Sequence, residues 1–205
     1  MVSATVHLVR HGEVENPGGI IYGRLPGYHL SERGRRQAEL SAARLSNAAI
    51  SAVWASPLER AQETAALIAE PHGLEIVTDE RLTESHTTFE GLGHKTWALL
   101  RDPRRAWSFR NPVRPSWGES FVDIKERMLA AITDAIQAAD GGEAVVVTHQ
   151  TPVRVSRLSL ARRRVPLWFN LTPCETGSVT TVVLDGDRYV SAAYFAPRVE
   201  NRAAR

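Results

Sequence analysis

The sequence predicts an α/β fold in three layers, with helices on both faces of a mostly parallel central sheet. Short apolar stretches alternate with longer segments whose apolar residues recur at helical spacing, which is the pattern of strand–helix units. One of the short stretches, AVVVT at residues 144–148, is continuous and β-branched instead of alternating. Such a run suits a strand covered on both faces, as in a parallel sheet. The chain has 205 residues, 43% hydrophobic and 23% charged. That is enough for the core of one domain without metals or disulfides.

The elements follow in order. Residues 5–10, TVHLVR, read as a strand. Ser31 is placed to cap a helix on which Ala38, Ala42 and Leu45 share a face. AVWAS, residues 52–56, is a second strand. A helix from about Leu58 carries Ala61, Ala65 and Ile68 on one side and stops at Gly73. LEIV, residues 74–77, is a third strand. The longest helix starts near Glu119, and Phe121, Ile124, Met128, Ala131, Ile132 and Ala135 form its apolar stripe. Asp140, Gly141 and Gly142 end it, and the AVVVT strand follows. Pro152 is placed to start a further helix. Residues 178–184 and 189–194 flank DGDR and predict a hairpin. Residues 85–117 break the rhythm. They hold Pro103, Pro112 and Pro115 with Trp97, Trp107, Phe109 and Trp117. This segment is too aromatic for a disordered linker. It reads as an insertion within a single domain of residues 1–205, capping whatever site the sheet carries.

Composition narrows the function. Cys174 is the only cysteine, so no intrachain disulfide can form. With no signal-peptide pattern and no apolar stretch near 20 residues, a cytoplasmic setting away from membranes is expected. Net charge is +2, and Lys95 and Lys125 are the only lysines, so the cations are almost all arginine. Arginine suits anions that accept a planar fork. The cluster ARRRVP at 161–166 is the one locally basic run.

In a parallel sheet, ligands bind beyond the carboxyl ends of the strands. The first strand ends in Arg10-His11-Gly12, the second in Ser56-Pro57 leading to Arg60, and the AVVVT strand in His149. If those strands are parallel neighbours, two arginines and two histidines converge. Arginine pairs with phosphate oxygens in bidentate fashion, and a neutral imidazole is a nucleophile at pH 7. Gly12 lets the backbone approach closely there. The set points to a phosphoryl group.

These residues resemble the signature of the histidine phosphatase superfamily, the phosphoglycerate-mutase-like family. RHG at the first strand end is similar to its nucleophile motif. Asn16 stands where the family often has a phosphate-contacting asparagine. LSERGRRQA at 30–38 resembles its first-helix motif, SPLERAQETA at 56–65 its second-arginine motif with Arg60, RLTES at 81–85 the segment carrying the acid with Glu84, and VVVTH at 145–149 the strand with the second histidine. The resemblance implies a phosphoglycerate-mutase-like fold and two-step phosphoryl transfer without a metal or other cofactor. His11 would attack phosphorus, and Glu84 would protonate the leaving oxygen and then activate water. Arg10, Arg60 and His149 would hold the phosphoryl oxygens, and Asn16 would donate a further hydrogen bond. Apart from the resemblance, Gly12, Gln150 and Arg24 are candidates to line the substrate. Glu80 and Glu90 are the other carboxylates near Glu84.

The sequence departs from the family in three places. Gln150-Thr151-Pro152 stands where glycine-rich sequence usually follows the second histidine, Glu13-Val14 follows RHG, and TTFEGLG at 87–93 matches the family's tryptophan–glutamate–glycine pattern only loosely. The leading reading is a phosphomonoesterase for small phosphorylated molecules. A phosphoglycerate mutase is the second, although mutases of this type are longer. A non-catalytic polyanion-binding module is the third, resting on Arg162 to Arg164. The expected partner is a small phosphorylated molecule, not nucleic acid or a membrane, and homodimers are common among related proteins.

Overall fold

A computed structural model describes residues 3–93, 118–163 and 172–199. Among them a six-stranded sheet has the order β3-β2-β4-β1-β5-β6. Its strands are β1 (Ser3–Arg10), β2 (Ile50–Ala55), β3 (Ile76–Thr78), β4 (Glu143–Thr148), β5 (Val179–Asp185) and β6 (Arg188–Phe195). The helices are α1 (Glu32–Leu45), α2 (Glu59–Ala69), α3 (Phe121–Ala138) and α4 (Gln150–Leu160). β3, β2, β4 and β1 are parallel, β5 runs antiparallel to β1, and β6 antiparallel to β5.

Strand alternation sorts the core into two halves. On β4, Ala144 and Val146 face α3 and α4, while Val145 and Val147 face α1 and α2, and all four are fully buried. β1 does the same with Val6 and Leu8 on one side and Val9 on the other. This is why the run at 144–148 lacks polar residues: β4 sits between β1 and β2 with helices above and below.

The helices start where their caps dictate. The Ser31 side chain accepts from the Gly34 N–H at 3.0 Å and starts α1. Ser120 accepts from Asp123 N–H at 3.2 Å, so α3 begins two residues after the expected Glu119. α4 begins at Gln150 instead of Pro152, because His149 is its cap and the His149 carbonyl accepts from Val153 N–H at 3.0 Å. Pro152 is tolerated because a first-turn residue has no intrahelical N–H partner to lose. β3 begins at Ile76 instead of Leu74. Leu74 N–H still donates to Ala69 O at 3.3 Å, and Gly73 closes the preceding turn at φ 65°. The hairpin turns at Gly186-Asp187, with Asp185 opposite Arg188.

Residues 94–117, most of the expected insertion, lie outside the described residues, as do Arg164 to Pro166 of the basic cluster. Residues 85–93 run back toward the loop after β1, where Ile20 bridges Gly93 and Thr87 bridges Gly118. Arg162 pairs with Asp187 at 2.6 Å on the surface. No helix among the described residues is long and apolar enough to cross a membrane.

The fully buried Met128 carries the α3 side of the core, whereas Val122 on the same helix is 60% exposed. Met128→Ala is expected to lower the unfolding free energy by about 2–5 kcal/mol. Val122→Ala is expected to change it by less than about 0.5 kcal/mol. Urea denaturation of the two variants side by side checks the assignment of the buried face.

Candidate active site

The parallel strands end together. Ala55 lies opposite Val147, and Arg10 opposite Thr148. The ladder runs one residue further on each side, with His11 N–H donating to Thr148 O and Ser56 N–H to Val147 O, both at 3.0 Å. His11, Ser56 and His149 therefore lie side by side at one edge of the sheet. The His11 and His149 rings are 5.0 Å apart between centroids, and both side chains are buried.

The chain after β1 is held against α1 and α2. Gly12 N–H donates to Thr64 Oγ1 at 3.1 Å, and Glu13 N–H to Gln37 Oε1 at 2.9 Å. A methyl group on Gly12 would strike the Gly34 carbonyl, and one on Gly34 would strike the carbonyl of Glu13. Gly12 does not adopt a left-handed φ. Its role is close approach, and Gly34 shares it.

His11 Nδ1 lies 2.7 Å from the Gly12 carbonyl, an acceptor only, so Nδ1 carries the hydrogen and Nε2 the lone pair. Burial pushes the His11 imidazole well below the ordinary histidine value of 6.5, and Arg10 and then Arg60 push it further. The ring stays neutral and nucleophilic. His149 is held well below 6.5 as well, by burial first and then by His11, Arg60 and Arg10.

Two guanidiniums flank the histidines. Arg60, fully buried on α2, donates Nη2–H to the Gly23 carbonyl at 2.6 Å and packs 4.9 Å from the Tyr22 ring centroid. Tyr22 stacks on Tyr28 with centroids 5.1 Å apart. Arg10 donates Nη1–H to the Cys174 carbonyl at 2.7 Å. The Gln150 amide fits its neighbours when its oxygen faces Arg10 Nη1 at 3.2 Å and Arg154 at 3.1 and 3.2 Å. Gln150 thus joins two cations.

Among the described residues, four buried nitrogens around His11 have no partner: Arg10 Nε, Arg60 Nε, Arg60 Nη1 and His149 Nδ1. Buried polar nitrogens are normally paired, and each costs about 1–3 kcal/mol when it is not. A tetrahedral oxyanion beside His11 is what such a set can satisfy.

Glu84 is half-buried and within electrostatic reach of Arg60 and Arg154. Its Oε1 accepts from Ser85 N–H at 2.8 Å. Glu90 is also within electrostatic reach of Arg60, and each neighbouring carboxylate has its own local partner or turn. Glu90 Oε1 accepts from Arg24 N–H at 2.8 Å, and Glu80 belongs to a short 3₁₀ turn over residues Glu80–Leu82. Asn16 closes its own loop, with both ends of its amide bonded to Ile20 at 2.9 and 3.1 Å. Arg24 donates to the Glu84 carbonyl at 2.6 Å and to Glu119 at 3.0 Å. In this arrangement Asn16 and Arg24 brace the rim. His7 is buried between Glu143, at 2.6 Å, and Thr181, at 2.9 Å.

Several participants do not stand out in the sequence as site residues. Thr64, Gly34 and Gln37 lie inside the two helix motifs, where nothing in their spacing shows that they clamp residues 12 and 13. Arg154 follows Gln150 by one helical turn, a spacing that signals a shared face but not a shared partner.

A class follows from this: an α/β protein with buried histidines and arginines gathered at the carboxyl ends of its parallel strands, an arrangement able to hold an oxyanion. The model of the histidine phosphatase superfamily (branch 1) matches residues 6–196, and the chain belongs to that superfamily. The chain is 50% identical over 198 residues to the uncharacterized protein Rv0525 of Mycobacterium tuberculosis, covering 94% of this chain and 96% of that one. It is 34% identical over 157 residues to a 2,3-bisphosphoglycerate-dependent phosphoglycerate mutase of Thermoplasma acidophilum, covering 73% and 72%. Among solved structures, mycobacterial glucosyl-3-phosphoglycerate phosphatase Rv2419c superposes with a TM-score of 0.74 at 27% identity, covering 87% of this chain and 92% of that one.

The depressed histidines set the pH response of stability. Well above pH 6.5 neither the folded nor the unfolded chain protonates them. As pH falls through 6.5, the unfolded chain takes up protons that buried His11 and His149 refuse, so stability falls. Exposed His29, raised by Glu63, acts in the opposite sense, but against solvent screening. The melting temperature is expected to fall steadily from pH 7 to pH 5, which calorimetry across that range checks. A rising trend would contradict the buried, neutral pair.

Proposed function

We propose that the protein is a metal-independent phosphomonoesterase acting through a phosphohistidine at His11. The observation that supports this best is the set of nitrogens on Arg10, Arg60 and His149 that lack a partner among the described residues, around a histidine whose free lone pair sits at Nε2. The superfamily and the phosphatase among its structural relatives support the same reading.

His11 Nε2 attacks phosphorus in line. The P–N bond forms as the P–O bond to the leaving group breaks, and Glu84 gives its proton to the departing oxygen. Arg10, Arg60 and His149 carry the charge on the equatorial oxygens, the work that Mg²⁺ performs in other phosphoryl-transfer sites. The Gly12 carbonyl keeps its bond to Nδ1–H, which stabilises the cationic phosphoimidazole. Water then attacks phosphorus, Glu84 takes its proton, the P–N bond breaks and phosphate leaves. Gln150 and Arg154 hold Arg10 in place. Asn16 and Arg24 shape the rim.

The mutase relative supports a second reading, in which the phosphoryl group returns to the organic product. Incubation with 3-phosphoglycerate separates the two, through formation of 2-phosphoglycerate or of free phosphate.

The test is hydrolysis of p-nitrophenyl phosphate in EDTA. Wild type is expected to be active and His11→Ala to lose on the order of 10³-fold or more in kcat. Glu84→Gln is expected to lose roughly 10²- to 10⁴-fold on an alkyl phosphate, and less on the nitrophenyl ester, whose leaving oxygen needs little protonation. Activity surviving in His11→Ala would contradict the proposal.

A further inference from the structure

The mechanism above uses His149 as a donor, and a histidine donates from a given nitrogen only if that nitrogen holds the hydrogen. Ser56 is the partner of its Nε2. It follows the last residue of β2 and is fully buried. Its backbone is fixed on both sides, with N–H donating to Val147 O at 3.0 Å and its carbonyl accepting from Gln62 Nε2 at 2.7 Å. Its Oγ lies 2.8 Å from His149 Nε2 and accepts from Leu58 N–H at 3.4 Å. With Leu58 supplying a donor to Oγ, the hydroxyl hydrogen is free to point at the imidazole. A neutral imidazole that accepts at Nε2 carries its hydrogen at Nδ1. His149 Nδ1 is one of the buried, unpartnered atoms of the site.

We propose that Ser56 is a positioning residue that holds His149 as the neutral Nδ1–H tautomer, so that its imidazole presents a hydrogen-bond donor, not a lone pair, to the phosphoryl group carried by His11. In the opposite tautomer Nε2–H donates to Ser56 and a lone pair at Nδ1 meets an anionic oxygen. The hydroxyl thus turns an ambivalent ring into a fixed donor without adding charge to a pocket that already holds Arg10 and Arg60. Burial and the neighbouring guanidiniums keep the ring neutral, so the choice between two tautomers matters. The inference rests on the phosphatase reading for its consequence, but its structural content stands apart from activity.

The test has two arms. Long-range ¹⁵N–¹H spectra of histidine-labelled protein at pH 7, without substrate, report the tautomer, with His149 assigned by its loss in His149→Gln. Wild type is expected to show a protonated Nδ1 and an unprotonated Nε2 at His149. Ser56→Ala is expected to lose that single-tautomer signature. In the second arm, Ser56→Ala is expected to lower kcat on p-nitrophenyl phosphate by roughly 10- to 100-fold with KM little changed. That is less than the roughly 10²- to 10³-fold for removing such a donor outright. Ser56→Thr, which keeps the hydroxyl, is expected to restore both readouts. If the added methyl does not fit, the spectrum of Ser56→Ala decides alone. An Nε2–H tautomer in wild type, a tautomer unchanged in Ser56→Ala, or a tautomer that changes while kcat does not would each overturn the proposal. A wild type with the expected tautomer and no hydrolysis of any ester would instead overturn the phosphatase reading.

Discussion

The parallel strands β2, β4 and β1 stop in register at one edge of the sheet, and the chemistry of the molecule depends on that alignment. Ladder hydrogen bonds from His11 to Thr148 and from Ser56 to Val147 carry the order one residue beyond the strands. His11, and Ser56 beside His149, are then fixed by backbone bonds as well as by side-chain contacts. Helix α2 adds Arg60 from the turn after β2, and α4 adds Gln150 and Arg154 from the turn after β4. Each cation reaches the site along a short path from a strand end, which limits how far it can wander.

This placement costs stability. Two imidazoles and two guanidiniums are buried, and several nitrogens of His149 and Arg60 find no partner among the described residues. The apolar halves of the core on either side of β4 offset that cost. Under the proposed function, nitrogens placed in advance leave little reorganisation to accompany charge development on a bound phosphoryl group. Gly12 and Gly34 show how tight the support is, since neither accommodates a side-chain carbon without displacing backbone.

Much of this was legible in the chain. The β-branched run at 144–148 marked a strand buried on both faces, and the residues at three strand ends marked the pocket, because strand direction alone brings them together. Local competition hid the rest. Leu74 is held by the end of α2, which delays β3, and His149 serves as a helix cap, which starts α4 before its proline. Side-chain partnerships between distant residues were also hidden. Arg24 meets Glu119 and Gly12 meets Thr64 across long sequence separations, and no spacing rule encodes such pairs. Asn16 was readable, by resemblance, as a phosphate contact, whereas its closure upon Ile20 was not readable.

The central claim is that His11 carries the phosphoryl group covalently. Rapid acid-free quenching of the enzyme with a ³²P-labelled phosphate monoester, followed by denaturing separation and peptide mapping, tests it directly. The expected result is a label that is stable in base, lost in acid, and confined to the peptide containing His11. It should be absent from His11→Ala. A label on another residue, or turnover by direct attack of water with no labelled protein at any quench time, would contradict the account.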